Sequence, residues 1–201
     1  MTLKNLSLLL LTLLLTSCAQ FTRFETGKTI GKNNMQLALQ ASYLAIDEGE
    51  SIRVPFGQVV YEYGVADKLD AGISISSAFN ALINVKYQLI GDQESRFALA
   101  LNPGLEFQLG GDDGFFLRPH FSAPLSLDLD DKFTLFAEPK YIYQTIDGTH
   151  FPGFSGGLQV ALYNDWKFAI GASSFYPLVD RGVGNTRVFQ VGVSFRKLMV
   201  R

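Results

Sequence analysis

From Met35 onward, apolar and polar residues alternate with a period of two, which sets successive side chains on opposite faces of a strand. In 35–46, Leu37, Leu39, Ala41, Tyr43 and Ala45 share one face, with Gln36, Gln40 and Ser42 on the other. The stretch 57–65 sets Val59, Tyr61, Tyr63 and Val65 against Gln58, Glu62 and Gly64, and 69–77 sets Leu69, Ala71, Ile73 and Ile75 against Asp70, Gly72, Ser74 and Ser76. The same rhythm returns in 81–90, 97–109, 115–129, 133–144, 154–163, 166–176 and 187–197, where Phe189, Val191, Val193 and Phe195 oppose Gln190, Gly192, Ser194 and Arg196. The pattern predicts ten strands, with eight as the smaller alternative.

The connections alternate too. Brief ones at 66–68, 91–96, 130–132 and 164–165 take turns with 47–56, the short exception 79–80, 110–114, 145–152 and 177–186. Short turns at one end and longer loops at the other mark an up-and-down barrel of the outer-membrane kind. An even strand number returns both chain ends to the short-turn side, the periplasmic one. The expected fold is therefore all-β: a closed antiparallel up-and-down transmembrane β-barrel of about ten strands.

Alternation alone leaves open which row faces inward. The polar rows hold mainly Gly, Ser, Ala, Gln and Asn, whereas a wetted outer surface carries Lys, Glu and other charges at roughly a quarter to a third of positions. Small polar residues suit the crowded lumen of a barrel of about eight to ten strands. The apolar rows then face acyl chains. Tyr43, Tyr63, Phe115, Phe133, Tyr143, Trp166 and Phe195 fall near strand ends, where amphipathic rings favour the headgroup region. Closure would satisfy all backbone groups in hydrocarbon. Pro103, Pro119, Pro124 and Pro139 lie within strands and lead us to expect bulges, and Leu82, Phe136 and Ile142 point into the expected lumen.

Register adds two expected luminal ion pairs. Folding 97–129 about 110–114 sets Glu106 across from Arg118, and Glu62 and Lys86 would flank Gly72 in one row, where the missing side chain lets them meet. Isolated ions in a narrow lumen are costly, which favours pairing.

Composition narrows the chemistry. A net charge of -2 and 18% charged residues give no basic patch for nucleic acid. One cysteine, Cys18, and two histidines, His120 and His150, supply no Cys/His metal cluster, and no cofactor signature is present. Gly27-Lys28-Thr29 lacks the earlier glycine of a phosphate loop, since Thr22 stands there. Residues 110–114 and 128–131 read as aspartate-bearing turns. His120 and Ser122 share a strand face and Glu138 sits diagonal to Ser122 on the next strand, the residue types of a nucleophilic triad.

The N-terminus explains the lone thiol. Lys4, the leucine-rich run 6–15 and small residues before Cys18 have the three parts of an export signal, and the run is too short to cross a bilayer as a helix. This divides the chain into a signal peptide (1–17), a lipidated N-terminus and polar tether (18–34) and a barrel domain (35–201). Leu15-Thr16-Ser17-Cys18 resembles the lipobox of bacterial lipoproteins, which implies a lipid on Cys18, cleavage before it and handling by lipoprotein-sorting machinery. Ala19, in place of an aspartate retention signal, implies delivery to the outer membrane.

Residues 27–196, with the 63–76 hairpin YGVADKLDAGISIS, resemble the small outer-membrane β-barrel proteins of Gram-negative bacteria. That implies insertion by the barrel-assembly machinery and contact with outer-membrane lipid, although the ending 196–201, RKLMVR, departs from the usual aromatic terminus. His120, Ser122 and Glu138 resemble the His-x-Ser and Glu of outer-membrane lipid A deacylases, with Ala123 where that family has asparagine. The leading expectation is a non-enzymatic outer-membrane lipoprotein with a structural, adhesive or narrow-pore role. A wide pore needs about 16 strands. The alternatives are a membrane acyl hydrolase using His120, Ser122 and Glu138, and a lipid-anchored periplasmic soluble barrel binding an apolar ligand. Oligomeric state is not legible.

Overall fold

The computed structural model describes residues 23–47, 51–77, 80–110, 114–145, 148–179, 182–183 and 187–200. Cys18, the signal peptide and 111–113 lie outside the described residues. The strands are β1 (Met35–Asp47), β2 (Ser51–Ala66), β3 (Leu69–Ser76), β4 (Asn80–Ile90), β5 (Phe97–Gly110), β6 (Gly114–Ser122), β7 (Leu125–Asp128), β8 (Phe133–Gln144), β9 (Thr149–Ala161), β10 (Trp166–Phe175), β11 (Leu178–Val179), β12 (Gly182–Val183) and β13 (Arg187–Met199). Each barrel strand pairs antiparallel with the next, and β13 pairs with both β10 and β1, which closes the sheet on itself.

Ten barrel strands result, because β6 and β7 are halves of one strand and β11–β12 is a small hairpin in the last connection. Across Ala123-Pro124 the register holds on both sides: Asn102↔Ser122 continues as Leu99↔Leu125, and His120↔Ile142 as Leu125↔Ala137.

The bulges expected at prolines are absent among the described pairings. Pro103, Pro119 and Pro139 pair in unbroken register, each occupying a ladder position without shifting it. The register shifts instead between Gly64 and Ala66 and between Gln88 and Ile90. Both lie close to the short turns, where the chain reverses and ladder bonds end.

Loop lengths also differ from expectation. β1 runs to Asp47 and β2 starts at Ser51, and β9 starts at Thr149, so the loop expected at 47–56 is largely strand and that expected at 145–152 is strand in its second half. Polar residues at these ends stay in the ladder because strands extending past an apolar belt need no apolar row. Of the longer loops, 176–186 alone keeps its length, and both ends of the barrel domain, Met35 and Met199, pair at the short-turn end.

The faces separate cleanly. Leu39, Ile75, Ile83 and Ile170 are 51–58% exposed on the outside, whereas Gln36, Gln58, Ser74, Asn84, Gln108, Ser155 and Ser194 are buried inside. Leu127, Val191 and Phe195 are exposed rather than packed into an interior, which removes the apolar-lined cavity of the soluble-barrel expectation.

Candidate functional site in the lumen

The lumen is filled from one end by the chain's own N-terminal segment. Residues 23–34, expected as a polar tether, enter beside the short turns, and Arg23, Phe24, Glu25 and Thr29 are at most 4% exposed. The entry is a backbone clasp: Asn33 N–H donates to Gly64 O at 2.8 Å and Gly64 N–H donates to Asn34 O at 2.9 Å. A side chain at Gly64 would collide with the Gly31 carbonyl, so glycine is what allows the two backbones to touch.

Deeper in, the segment is held by wall side chains. Ile30 N–H donates to Asp70 Oδ2 at 3.0 Å, Thr29 Oγ1 donates to the Asp67 carbonyl at 2.7 Å, and Lys28 Nζ pairs with Asp128 Oδ2 at 2.5 Å. These wall groups come from strands and turns that alternation pointed inward. The segment lacks periodicity because it is not part of the sheet. It supplies donors and acceptors to a lumen that would otherwise hold unpaired ions.

At mid-lumen a buried charge cluster forms. Lys86 Nζ lies 3.3 Å from Glu25 Oε2, 3.4 Å from Glu62 Oε1 and 3.3 Å from Asp70 Oδ2. Arg23 reaches Glu62 Oε1 at 2.7 Å and also pairs with Glu25. Glu62 and Lys86 thus meet, but not by the expected register: Gly72 faces Glu62 on one side and Asn84 on the other, while Lys86 faces Asp70. The β3–β4 pairing runs from Leu69↔Tyr87 to Ile75↔Ala81, which moves each partner by two from the expected register. The cluster members missed by sequence reading, Arg23 and Glu25, carried one signal: opposite charges two residues apart in a stretch that also holds Lys28 and Lys32.

A second cluster lies against β5, β6 and β8. Glu106 is directly across from Arg118, with Oε1 to Nη2 at 3.5 Å, and His120 Nε2 stands 2.6 Å from Glu106 Oε2. Lys140 Nζ pairs with Glu138 Oε2 at 2.9 Å and donates to the Arg23 carbonyl at 2.6 Å. Ser122 Oγ is 3.5 Å from the Asn102 carbonyl oxygen and faces Lys140 across the ladder, with Glu138 diagonal to it. His120, Ser122 and Glu138 therefore line one small luminal cavity of about 30 Å³ with Arg23, but His120 turns its Nε2 to Glu106 and not to Ser122. A triad needs the base on the nucleophile.

Two apolar clusters complete the filling. Phe24 packs on Phe136, ring centroids 5.9 Å apart, beside Ala169. Toward the loop end Leu44, Val54, Phe56, Ile142, Phe175 and Val188 close over the lumen. The described residues include no group of three or more His, Cys, Asp or Glu side chains able to hold a metal ion.

No protein-family model matches the chain, and no curated protein matches it. Among solved structures, an outer membrane channel from Pseudomonas putida F1 aligns with a TM-score of 0.52 at 10% identity, covering 89% of this chain and 100% of that one. The NanC porin aligns with a TM-score of 0.48 at 13% identity, covering 79% of this chain and 98% of that one. At such identities the likeness to the Pseudomonas channel is one of fold, the closed β-barrel.

Proposed function

We propose that the chain is an integral outer-membrane β-barrel lipoprotein of Gram-negative type, anchored through Cys18 and non-enzymatic, whose plugged lumen suits a structural or adhesive role. The observation that carries this reading is the reversal of the usual faces: an apolar belt on the outside and buried ions within. Lipid solvates such a belt, and a closed barrel is the form in which a sheet can cross hydrocarbon. Trp166, the chain's one tryptophan, is 43% exposed on the outer surface at the short-turn end, a headgroup-level position. In vesicles containing brominated lipids its fluorescence should be quenched; emission unaffected by bromination would remove the membrane reading.

The short-turn end, where both ends of the barrel domain meet, is assigned to the periplasm. Arg23 lies beside Lys140 and Asn84, halfway along their strands. Barrel-assembly and lipoprotein-sorting machinery are the implied partners.

The narrow-pore role is a second reading, favoured by the luminal charges. It requires residues 23–34 to leave, so the intact protein should be silent in planar bilayers. The hydrolase alternative is disfavoured by His120 resting on Glu106; Ser122→Ala should leave lipid A acylation unchanged.

A further inference from the structure

Lys167 of β10 and Arg196 of β13 are direct cross-strand partners on the luminal side. Like charges placed directly opposite in a sheet repel, and the carboxylates that act on this pair do so only at longer range, Glu62 on Arg196 and Asp128 on Lys167, each while paired directly with another cation. The next partners outward in the ladder are Ala161 and Ala38. The positions two away along those two strands are Gln159, Gln36 and Gln40, all neutral on the luminal side. Along their own strands the luminal neighbours are Ala169, Ser194 and Leu198. No carboxylate lies within 4 Å of either cation among the described residues, and Arg196 is 4% exposed, its Nε 3.4 Å from Ser194 Oγ.

Both cations line a cavity of about 220 Å³ at the short-turn end. Lys28 and Lys86 line it as well, but these are paired, Lys28 with Asp128 and Lys86 with Glu25, Glu62 and Asp70. The remaining wall is neutral and rich in amides, including Gln36, Gln93 and Gln159. The acidic groups that face the cluster are thus committed to other cations, and the positive pair is left facing open space. Buried charges are retained in folded proteins when paired, and here the described wall provides no carboxylate in direct contact with either cation.

We propose that this cavity is a binding site for a small oxyanion, a phosphate or carboxylate group that bridges Lys167 and Arg196 and is solvated by the surrounding glutamines. Its volume falls below that of pockets for drug-sized ligands, which limits the occupant to a small anion or the anionic head of a larger molecule. Arginine recognises such groups with its planar fork and lysine as a point charge. A free phosphate and a lipid headgroup share this chemistry.

The test uses the full chain folded in non-ionic detergent micelles and reads thermal unfolding by the change in gel migration. One arm adds inorganic phosphate against chloride at matched ionic strength, and the other dopes the micelles with phosphatidic acid. A saturable upward shift in either arm, weakened at least tenfold in affinity by Lys167→Gln and by Arg196→Gln, supports the site, and the responding arm identifies the source. Lys167→Glu, which gives Arg196 a carboxylate across the ladder, should fold, unfold at a higher temperature than wild type without anion, and lose the response. No shift in either arm beyond that of chloride, or a shift that survives in the variants, overturns the proposal.

Discussion

Glu25 Oε2 stands 3.3 Å from Lys86 Nζ, joining residues 61 apart in sequence across the barrel interior. Through that contact the N-terminal segment is part of the folded domain's charge balance. Without Glu25, Lys86 keeps Glu62 and Asp70; without Lys86, Glu25 and Glu62 share Arg23 and Asp70 loses its cation.

Lys86→Met should therefore lower stability by about 3–5 kcal/mol, the cost of leaving buried charge uncompensated. Unfolding in urea, followed by gel migration, measures it. The Glu25→Gln/Lys86→Met pair should recover part of the loss, since residues in contact are coupled.

Gly64→Ala should loosen the clasp while keeping the barrel closed. A methyl there meets the Gly31 carbonyl, whereas the Gly64 partner in β3, Asp70, remains in register. Limited proteolysis should cut within 23–34 faster than in wild type, with the barrel fragment intact. Equal cutting rates would show that the segment is not held there.

Phe24→Ala should cost about 3 kcal/mol or more, as expected when a buried aromatic is truncated to leave a cavity. Phe24 is 2% exposed against Phe136 and Ala169. The same urea titration checks it, and a near-zero effect would place the ring outside the lumen.

Ile170→Arg separates membrane from water on the outer face. In hydrocarbon near the midplane a cation on the lipid side of a barrel costs about 2–4 kcal/mol, while an exposed surface position in water usually changes stability by no more than about 0.5 kcal/mol. Ile170 is 53% exposed, and the comparison is folding yield into vesicles of the variant against wild type.

Strands and faces were legible because period two is imposed at every residue of a two-sided sheet. Glu106 and Arg118 could be set opposite because their hairpin folds symmetrically about one short connection. Glu62 and Lys86 required two successive registers, and the β3–β4 pairing lies two residues from the expected one, so Lys86 faces Asp70 and not Gly72. Strand ends at Asp47, Ser51 and Thr149 were read as loop because polar residues beyond an apolar belt look the same in ladder and loop. The burial of Arg23 and Glu25 was hidden because plug residues follow no period and their partners lie far along the chain. Lys167 and Arg196 each sat in a polar row, and only their cross-strand adjacency reveals the unbalanced charge.

The most direct test of the barrel's orientation is alkaline carbonate extraction of membranes carrying the Cys18→Ala chain, which has no lipid to hold it. An integral barrel stays in the pellet and keeps heat-modifiable migration. Release of folded protein into the supernatant would contradict the outward-facing apolar belt as a membrane-spanning surface.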